Sequence, residues 1–585
     1  MPIITFLPSG KRAEVDEGKT ILSAAQEIGE GIRSLCGGKG SCGKCLVVVR
    51  KGDVEILSEE AHEKFVREKG YYLACQTAVK GDVEVFIPPE SRLERQQILK
   101  DFFISSKEFN PVVKVEFCSD AFLPEVLSQK GLRLACSTDV EEGDFGLVVR
   151  GKEVIDVLPD EKAFGLAVDV GTTTIVAALV DLKDGKVVNV ASDYNGQIIY
   201  GEEVLSRVEF ARSRKDGVEV LQRAVVESIN KLIDKLLEGY ATPDRIYDVV
   251  AAGNTIMTHF LVGKDVEYLF SSPDVKVERE GFVVNASEIG LKVNSNAELF
   301  CLPPVGRFVG GDIVGDILAS RIVDSATISL MVDLGTNGEI VVGSEGWAMA
   351  TSVASGPAFE GYEIKHGSRA VEGAIDHVEI EGEEVRYTVI GNGKPRSICG
   401  SGLIDLMAEM FKNGILDATG AMNKKHPRVR RGEDGYEFVV VEAEKSATAK
   451  DIVFTEKDVE TLLKSKAAVC AGIAVLIKKA GLGLEDIDEF YIAGAFGYYI
   501  NFDNAVTIGL FPELKAEVKQ IGNGSLAGAY LALVSERKRK LAETIANAFA
   551  YFDLSTDADF VEEYRAALSL PGRPELFPET YAKYV

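Results

Sequence analysis

Residues 36–45 read CGGKGSCGKC, and together with Cys75 they place Cys36, Cys42, Cys45 and Cys75 in the order C-x5-C-x2-C-x29-C. Three thiols on one tight loop and a fourth from afar is what an iron–sulfur cluster needs, because four thiolates must converge on a compact inorganic core. Gly37, Gly38, Gly40 and Gly43 let the loop fold around such a core and aim backbone N–H groups at it. Arg33, Lys39 and Lys44 stand beside it to offset the negative charge of a thiolate-ligated 2Fe-2S cluster. Two other readings stay open, a zinc site and buried thiols. Zinc sites more often show two C-x2–4-C knuckles, and only one such pair occurs here. The remaining Cys118, Cys136, Cys301, Cys399 and Cys470 show no ligand spacing and read as buried thiols.

Outward from this loop, ITF and RAEV bracket a turn at Pro8-Ser9-Gly10, and Thr20 starts a helix with Ile21, Leu22, Ala25 and Ile28 inward. Strands are expected at 46–49 and 83–87. The pattern resembles the plant-type and vertebrate-type ferredoxins, which implies a β-grasp fold around a 2Fe-2S cluster held by the four cysteines. The first spacing is one residue longer than the plant C-x4-C, closer to the vertebrate and bacterial variants.

The charge divides the chain. Of 585 residues 91 are acidic and 65 basic, a formal −26. Residues 1–90 hold 14 acidic and 12 basic, so their net is −2 and the other 495 carry −24. That balance argues against a nucleic-acid surface, which needs a basic stripe. The longest apolar run, Ala467 to Ile477, is 11 residues and too short to span a bilayer. The start, MPIITFLPSGKRAEVDEG, lacks a signal peptide's charged opening and long apolar stretch, so a cytoplasmic chain is expected. The expected division is a ferredoxin domain over 1–90, a linker over 91–108 with an amphipathic helix through Leu93, Gln97 or Ile98, and Phe102, a small α/β middle domain over 109–160, and a large region over 161–585. The middle domain is expected to show strands VVKVEF and GLVVRG and a helix LPEVLSQKG. The fold class is α/β and α+β multidomain.

In the large region, FGLAVDVGTTT (164–174) is an apolar strand, Asp169, and a turn of Gly171, Thr172, Thr173 and Thr174 before the chain resumes as strand. The design recurs at ISLMVDLGTNGEIVVG: Asp333 ends a strand, Gly335, Thr336, Asn337 and Gly338 turn, and Glu339 opens the next strand. Backbone N–H groups and hydroxyls of two such hairpins, facing across a cleft, suit phosphates, and the carboxylates suit Mg²⁺ waters. A single D-x-G-T is weak, being also a plain hairpin turn; two copies 164 residues apart are stronger. A third strand runs into Gly494, Ala495, Phe496 and Gly497, and further glycine turns hold Gly356, then Gly400, Ser401 and Gly402. The helix 218–239 reads as packing, with Val220, Leu221, Val225, Ile229, Leu232, Ile233 and Leu236 at core spacing.

This order resembles the actin-like, sugar-kinase ATPase superfamily, with connecting helices at 310–320 and 522–533. It implies a two-lobed fold with RNase H-like halves, ATP and Mg²⁺ as ligands, Asp169 and Asp333 organising metal or water, and Glu339 helping to position the lytic water. Gly494 and Gly497 would pass the adenosine. A ferredoxin joined to such an ATPase resembles the reductive activators of corrinoid enzymes. Strings such as YNGQIIYGEEVLSRVEFA (194–211), VAAGNTIMTHFLVG (250–263), LPPVGRFVGGDIVGD (302–316), ASGPAFEG, ICGSGLIDL and AGAFGYYIN carry the likeness. It implies ATP-dependent electron transfer from the cluster to the Co(II) corrinoid of a partner protein and an upstream low-potential electron donor. Apart from the resemblance, the region 109–160 is expected either to dimerise the chain as a homodimer or to space the two domains. The alternatives are an activator of a radical dehydratase, a ferredoxin-fused small-molecule kinase, and a non-hydrolysing electron carrier.

Overall fold

The structure, a computed structural model, describes every residue except 35, 67–68, 89–90, 93–107, 272–274, 336, 434, 495–496, 498 and 555–556. The linker helix expected at 91–103 falls almost wholly outside the described residues. The chain divides into two compact units. One holds Met1–Arg95, Val113–Lys276 and Phe282–Cys301; the other holds Gln96–Val112, Val277–Gly281 and Leu302–Val585.

The first unit begins with a five-stranded sheet in the order Arg12–Glu14, Ile3–Leu7, Val83–Phe86, Leu46–Lys51, Tyr71–Leu73. Ile3–Leu7 pairs antiparallel with Arg12–Glu14 and parallel with Val83–Phe86, which gives the mixed sheet of a β-grasp. Thr20 caps the helix Ile21–Glu27, its Oγ1 accepting from Ser23 N–H at 3.1 Å. Ile21, Leu22, Ala24 and Ala25 then bury against Ile4, Phe6, Val47 and Val85.

A second sheet orders Val113–Phe122, Glu142–Arg150, Glu153–Leu158 and Arg133–Leu134. The helix Leu123–Lys130 lies where expected and stops at Gly131, whose φ of +63° supplies the left-handed cap. Cys118 and Cys136 are half-buried against this sheet's apolar cluster, less enclosed than a buried-thiol reading holds, whereas Cys301, Cys399 and Cys470 are buried.

Two six-stranded sheets repeat one plan. In the first unit Phe164–Val170 pairs antiparallel with Thr174–Asp181, which pairs with Val187–Tyr194. On its other side it runs parallel to Ile246–Ala252 and then Glu298–Cys301. In the second unit Ser329–Leu334 takes Gly338–Ser344 and Trp347–Val353 on one side, and parallel Glu489–Ala493 and Glu517–Gly522 on the other. Each plan is that of an RNase H-like half, and in each the Asp of the D-x-G-T turn closes the central strand.

Helix Gly217–Leu237 buries Leu221, Val225, Ile229, Leu232, Ile233 and Leu236 on the first of these sheets, leaving Val220 half-buried. In the second unit, helices Gly311–Ser320 and Gly524–Val534 are the two expected connecting helices. They pack against each other so closely that a Cβ on Gly528 would lie 2.1 Å from Gly315 Cα. The apolar run 467–477 lies inside the helix Glu456–Lys479 and is buried in protein. Among the described residues no helix is long and apolar enough to cross a membrane.

Candidate functional site

The loop from helix Ile21–Glu27 to strand Leu46–Lys51 carries Cys36, Cys42 and Cys45, while Cys75 sits in the short turn Ala74–Gln76. Pairing of Leu46 with Leu73 draws the two segments together. Cys45 Sγ lies 3.4 Å from Cys75 Sγ, and Ala74 N–H donates to Cys45 O at 2.9 Å. Gly43 runs at φ +67° beneath Phe65, whose ring carbon would be 2.5 Å from any Cβ there, so only glycine fits. Gln76 Nε2 braces the loop by donating to Gly38 O at 3.0 Å.

The thiols fall into two pairs. The hydrogen bond from Cys42 holds the Cys36 thiol down at about 4, and the same contact, with burial, pushes Cys42 up. Cys75 is likewise lowered by its hydrogen bond with Cys45, and Cys45 is raised by it. A metal bound at both sulfurs of a pair would displace any proton they hold. Two pairs of thiols fit a two-iron centre. The Ser34 and Thr77 hydroxyls, two residues from Cys36 and Cys75 in sequence, are buried without a hydrogen-bond partner among the described residues.

In the first D-x-G-T turn the backbone carbonyls are tied back. Asn195 Nδ2 donates to Gly171 O at 2.9 Å and Asn195 N–H donates to Thr173 O at 2.9 Å. The Arg207 guanidinium, fully buried, donates to Thr172 O, to Gly201 O at 2.8 Å and to Gln197 Oε1 at 3.1 Å. Asn254, the cap of helix Thr255–Leu261, donates from Nδ2 to Thr172 Oγ1 at 3.1 Å. The turn is thereby fixed from behind, with Asp169, Gly171, Thr172, Thr173 and Thr174 all half-exposed. Asn195, Arg207 and Asn254 had no sequence role assigned. They lie in the strings 194–211 and 250–263, and their distance from the turn in sequence hid them.

In the second turn Asp333 stands opposite Glu339 across the hairpin and beside Ala493 on the parallel strand. Gly494 follows at φ +85°, and a Cβ there would lie 2.4 Å from Asp333 Oδ1. The structure thus brings Ala493 and Gly494 onto the turn. Glu339 accepts from Ser352 Oγ at 3.1 Å, and its carboxyl is pushed well above the usual range, first by burial and then by Asp333 and Asp312. A divalent cation would relieve that repulsion. Gly335 N–H donates to Asn337 O at 3.0 Å and closes the turn. Gly338 packs near Val353 and Val469, and Gly356 near Ser465 on the same long helix as Val469.

Gly400, Ser401 and Gly402 open the helix Gly400–Lys412, buried against the strand Ala374–Glu381. There Ser401 Oγ donates to Asp376 O at 2.8 Å, and a Cβ on Gly402 would meet Ile375 O at 2.5 Å. Gly497 packs against Ile492, and its carbonyl faces Gln520. Thr336, Ala495 and Phe496 lie outside the described residues.

A β-grasp head with paired thiols, on the same chain as two RNase H-like halves each bearing an aspartate turn, defines an iron–sulfur protein fused to an actin-like ATPase fold. Comparison with known proteins agrees. Residues 4–80 match the 2Fe-2S iron-sulfur cluster binding domain, 164–325 the RACo middle region, and 327–581 the C-terminal domain of RACo, the ASKHA domain. The corrinoid activation enzyme RamQ of Eubacterium limosum is 30% identical over 94% of this chain and 96% of its own. A solved structure titled as a reductive activator for corrinoid, iron-sulfur protein matches 99% of this chain and 100% of its own, at 34% identity and TM-score 0.73. The [Co(II) methylated amine-specific corrinoid protein] reductase of Methanosarcina barkeri is 27% identical over 64% of this chain and 71% of its own. The chain belongs to the family of reductive activators of corrinoid proteins.

Proposed function

We propose that this chain takes one electron from a low-potential donor and delivers it to the Co(II) corrinoid of a partner protein, giving Co(I), with ATP hydrolysed to ADP and phosphate to drive the exchange. The observation that carries this is the end-to-end match to relatives named for that role, over a chain that holds both a paired-thiol loop and two aspartate turns. In this reading residues 1–90 are the ferredoxin head, 91–108 the linker, 109–160 a small middle domain, and 161–585 the ATPase.

When bound, a 2Fe-2S cluster supplies a one-electron couple. Cys36, Cys42, Cys45 and Cys75 hold it, and Gly43 and Gln76 keep the loop in shape around it. The carbonyls of Gly171, Thr172 and Thr173 are occupied from behind, which leaves the turn's N–H face for phosphate. Asp169 in the first half and Asp333 in the second would each offer a carboxylate to the waters of a Mg²⁺ ion, and Glu339, whose carboxyl is raised by burial and by Asp333 and Asp312, would orient the attacking water.

The energetics give ATP a purpose. Plant-type clusters lie at about −400 mV, and a coupled binding step would add driving force to reduction of a low-potential Co(II) centre. A coupling of about 1–3 kcal/mol between nucleotide and partner binding corresponds to roughly 40–130 mV for one electron. Co(I) formation from a Co(II) corrinoid protein, followed by absorbance with and without MgATP under a fixed low-potential donor, tests the reading. A higher yield with MgATP supports it, and equal yields overturn the coupling.

A further inference from the structure

One segment of the first unit touches both functional regions. Its residues Asn195, Gln197 and Arg207 hold the phosphate turn: Asn195 takes the carbonyls of Gly171 and Thr173, and Arg207 takes that of Thr172 and is itself braced by Gln197. Between these points the same segment seats the ferredoxin head. Gln26 Nε2 donates to Ile199 O at 2.5 Å, and Ser34 N–H donates to Glu202 Oε1 at 2.6 Å, with Glu202 only 3% exposed. Gly37, next to Cys36, runs so close to Ser206 that a Cβ there would lie 2.9 Å from Ser206 Cβ. Ser206 and Arg207 are neighbours on the helix Val204–Ser213, whose start is stapled by Ser206 Oγ donating to Glu203 O at 2.7 Å.

Resting on the reading above, we propose that the segment Asn195–Arg207 is a relay that couples nucleotide occupancy of the Gly171–Thr173 turn to the seating of the cysteine loop, with Arg207 and Glu202 as its positioning residues. The physical case is that both ends are rigid and share no slack. Arg207 is fully buried, with one arm on the Thr172 carbonyl and its other donors on Gly201 O and Gln197 Oε1, and a guanidinium fork so held cannot follow a moved carbonyl without moving its own helix. That helix carries Ser206 against Gly37, and Glu202 lies one turn before it against Ser34. A shift of the turn on phosphate binding therefore reaches the loop that bears Cys36 and Cys42. Coupling of this kind is reciprocal, so reduction of the head must change nucleotide affinity by the same factor that nucleotide changes the head's redox equilibrium.

The test is anaerobic titration of the full-length, cluster-loaded protein with a non-hydrolysable ATP analogue in the oxidised and in the dithionite-reduced state. No corrinoid partner is needed. The relay predicts an affinity ratio between the two states of at least about fivefold. Glu202→Ala leaves the oxidised-state affinity within about twofold and brings the ratio to one. Glu202→Gln, which keeps an oxygen to accept from Ser34 N–H, restores the ratio. Should Arg207→Lys fold, it too abolishes the ratio; the Glu202 pair carries the test if it does not. Hydrogen exchange at the Ser34 amide gives a second readout, slowed by the analogue in wild type and in Glu202→Gln but not in Glu202→Ala. A wild-type protein that binds the analogue with a ratio of one overturns the relay alone. A ratio that survives in Glu202→Ala also overturns it. A protein that binds no analogue in either state overturns the ATPase reading, and the relay with it.

Discussion

Gly494→Ala probes the close approach of Gly494 to Asp333. Two costs follow from the geometry. Gly494 sits at φ +85°, where a side chain is strained by about 1–2 kcal/mol. The new methyl would also lie 2.4 Å from Asp333 Oδ1 and 2.9 Å from Leu334 O. Ordinary carbon–oxygen contacts begin near about 3.3 Å, so the carboxylate must retreat by roughly 0.9 Å or the strand must move. Overpacking of that kind adds about 1–3 kcal/mol. Together the loss is about 2–5 kcal/mol, which at about 2 °C per kcal/mol for a unit of this size lowers Tm by at least about 4 °C. If the carboxylate swings aside instead, stability is partly restored at the expense of catalysis, since a displacement near 1 Å costs about a hundredfold. Gly239→Ala is the control, because Gly239 shares the backbone strain at φ +78° but has nothing within 4 Å of its Cβ position. Thermal unfolding and steady-state ATP hydrolysis on both variants decide the matter. Gly494→Ala that hydrolyses ATP at the wild-type rate, with a Tm equal to that of Gly239→Ala, would refute the placement of Asp333 in the nucleotide site.

Cys75→Ser should abolish the cluster's visible absorption and its electron-spin-resonance signal on reduction, whereas Cys301→Ser, buried far from the loop in sequence and outside the thiol pairs, should keep both. Gly528→Ala should lower the denaturant midpoint by an amount equivalent to about 1–3 kcal/mol, because its methyl meets the backbone of Gly315, where no side-chain end can swing away. Glu339 has a native carboxyl raised above its unfolded value near 4.5, so the native state holds the proton more tightly and stability is lost as pH rises through the native value. Without Mg²⁺, Glu339→Gln should therefore match wild type in Tm at pH 4 and exceed it increasingly towards neutrality. A difference that is flat with pH would contradict the raised carboxyl.

Much of this architecture was legible before any coordinates. The cysteine spacing and glycines marked the head, since cluster ligation leaves a local sequence trace. Each D-x-G-T marked the end of a central strand, since an apolar run closed by Asp and turned by glycine is also a local signal. The duplicated sheet plan was only hinted at by those two turns, because the halves share topology and not a sequence period. What supports the turns was hidden: Arg207 lies 35 residues from Thr172 and Asn254 lies 82, and the family-like strings that hold them do not show which turn they reach. The Gly400–Gly402 turn looked the same as the others in sequence, yet its atoms are engaged with the strand Ala374–Glu381.

The central claim is that ATP chemistry at Asp333 drives electron delivery from the thiol-held head. The direct test is Asp333→Asn in cluster-loaded protein, assayed for Co(I) formation on a Co(II) corrinoid protein with MgATP. The account predicts a cluster that reduces and reoxidises as in wild type, no ATP hydrolysis, and a Co(I) yield reduced to the level seen without nucleotide. An unchanged Co(I) yield with an intact cluster would contradict it, and would leave the chain an electron carrier on an idle ATPase fold.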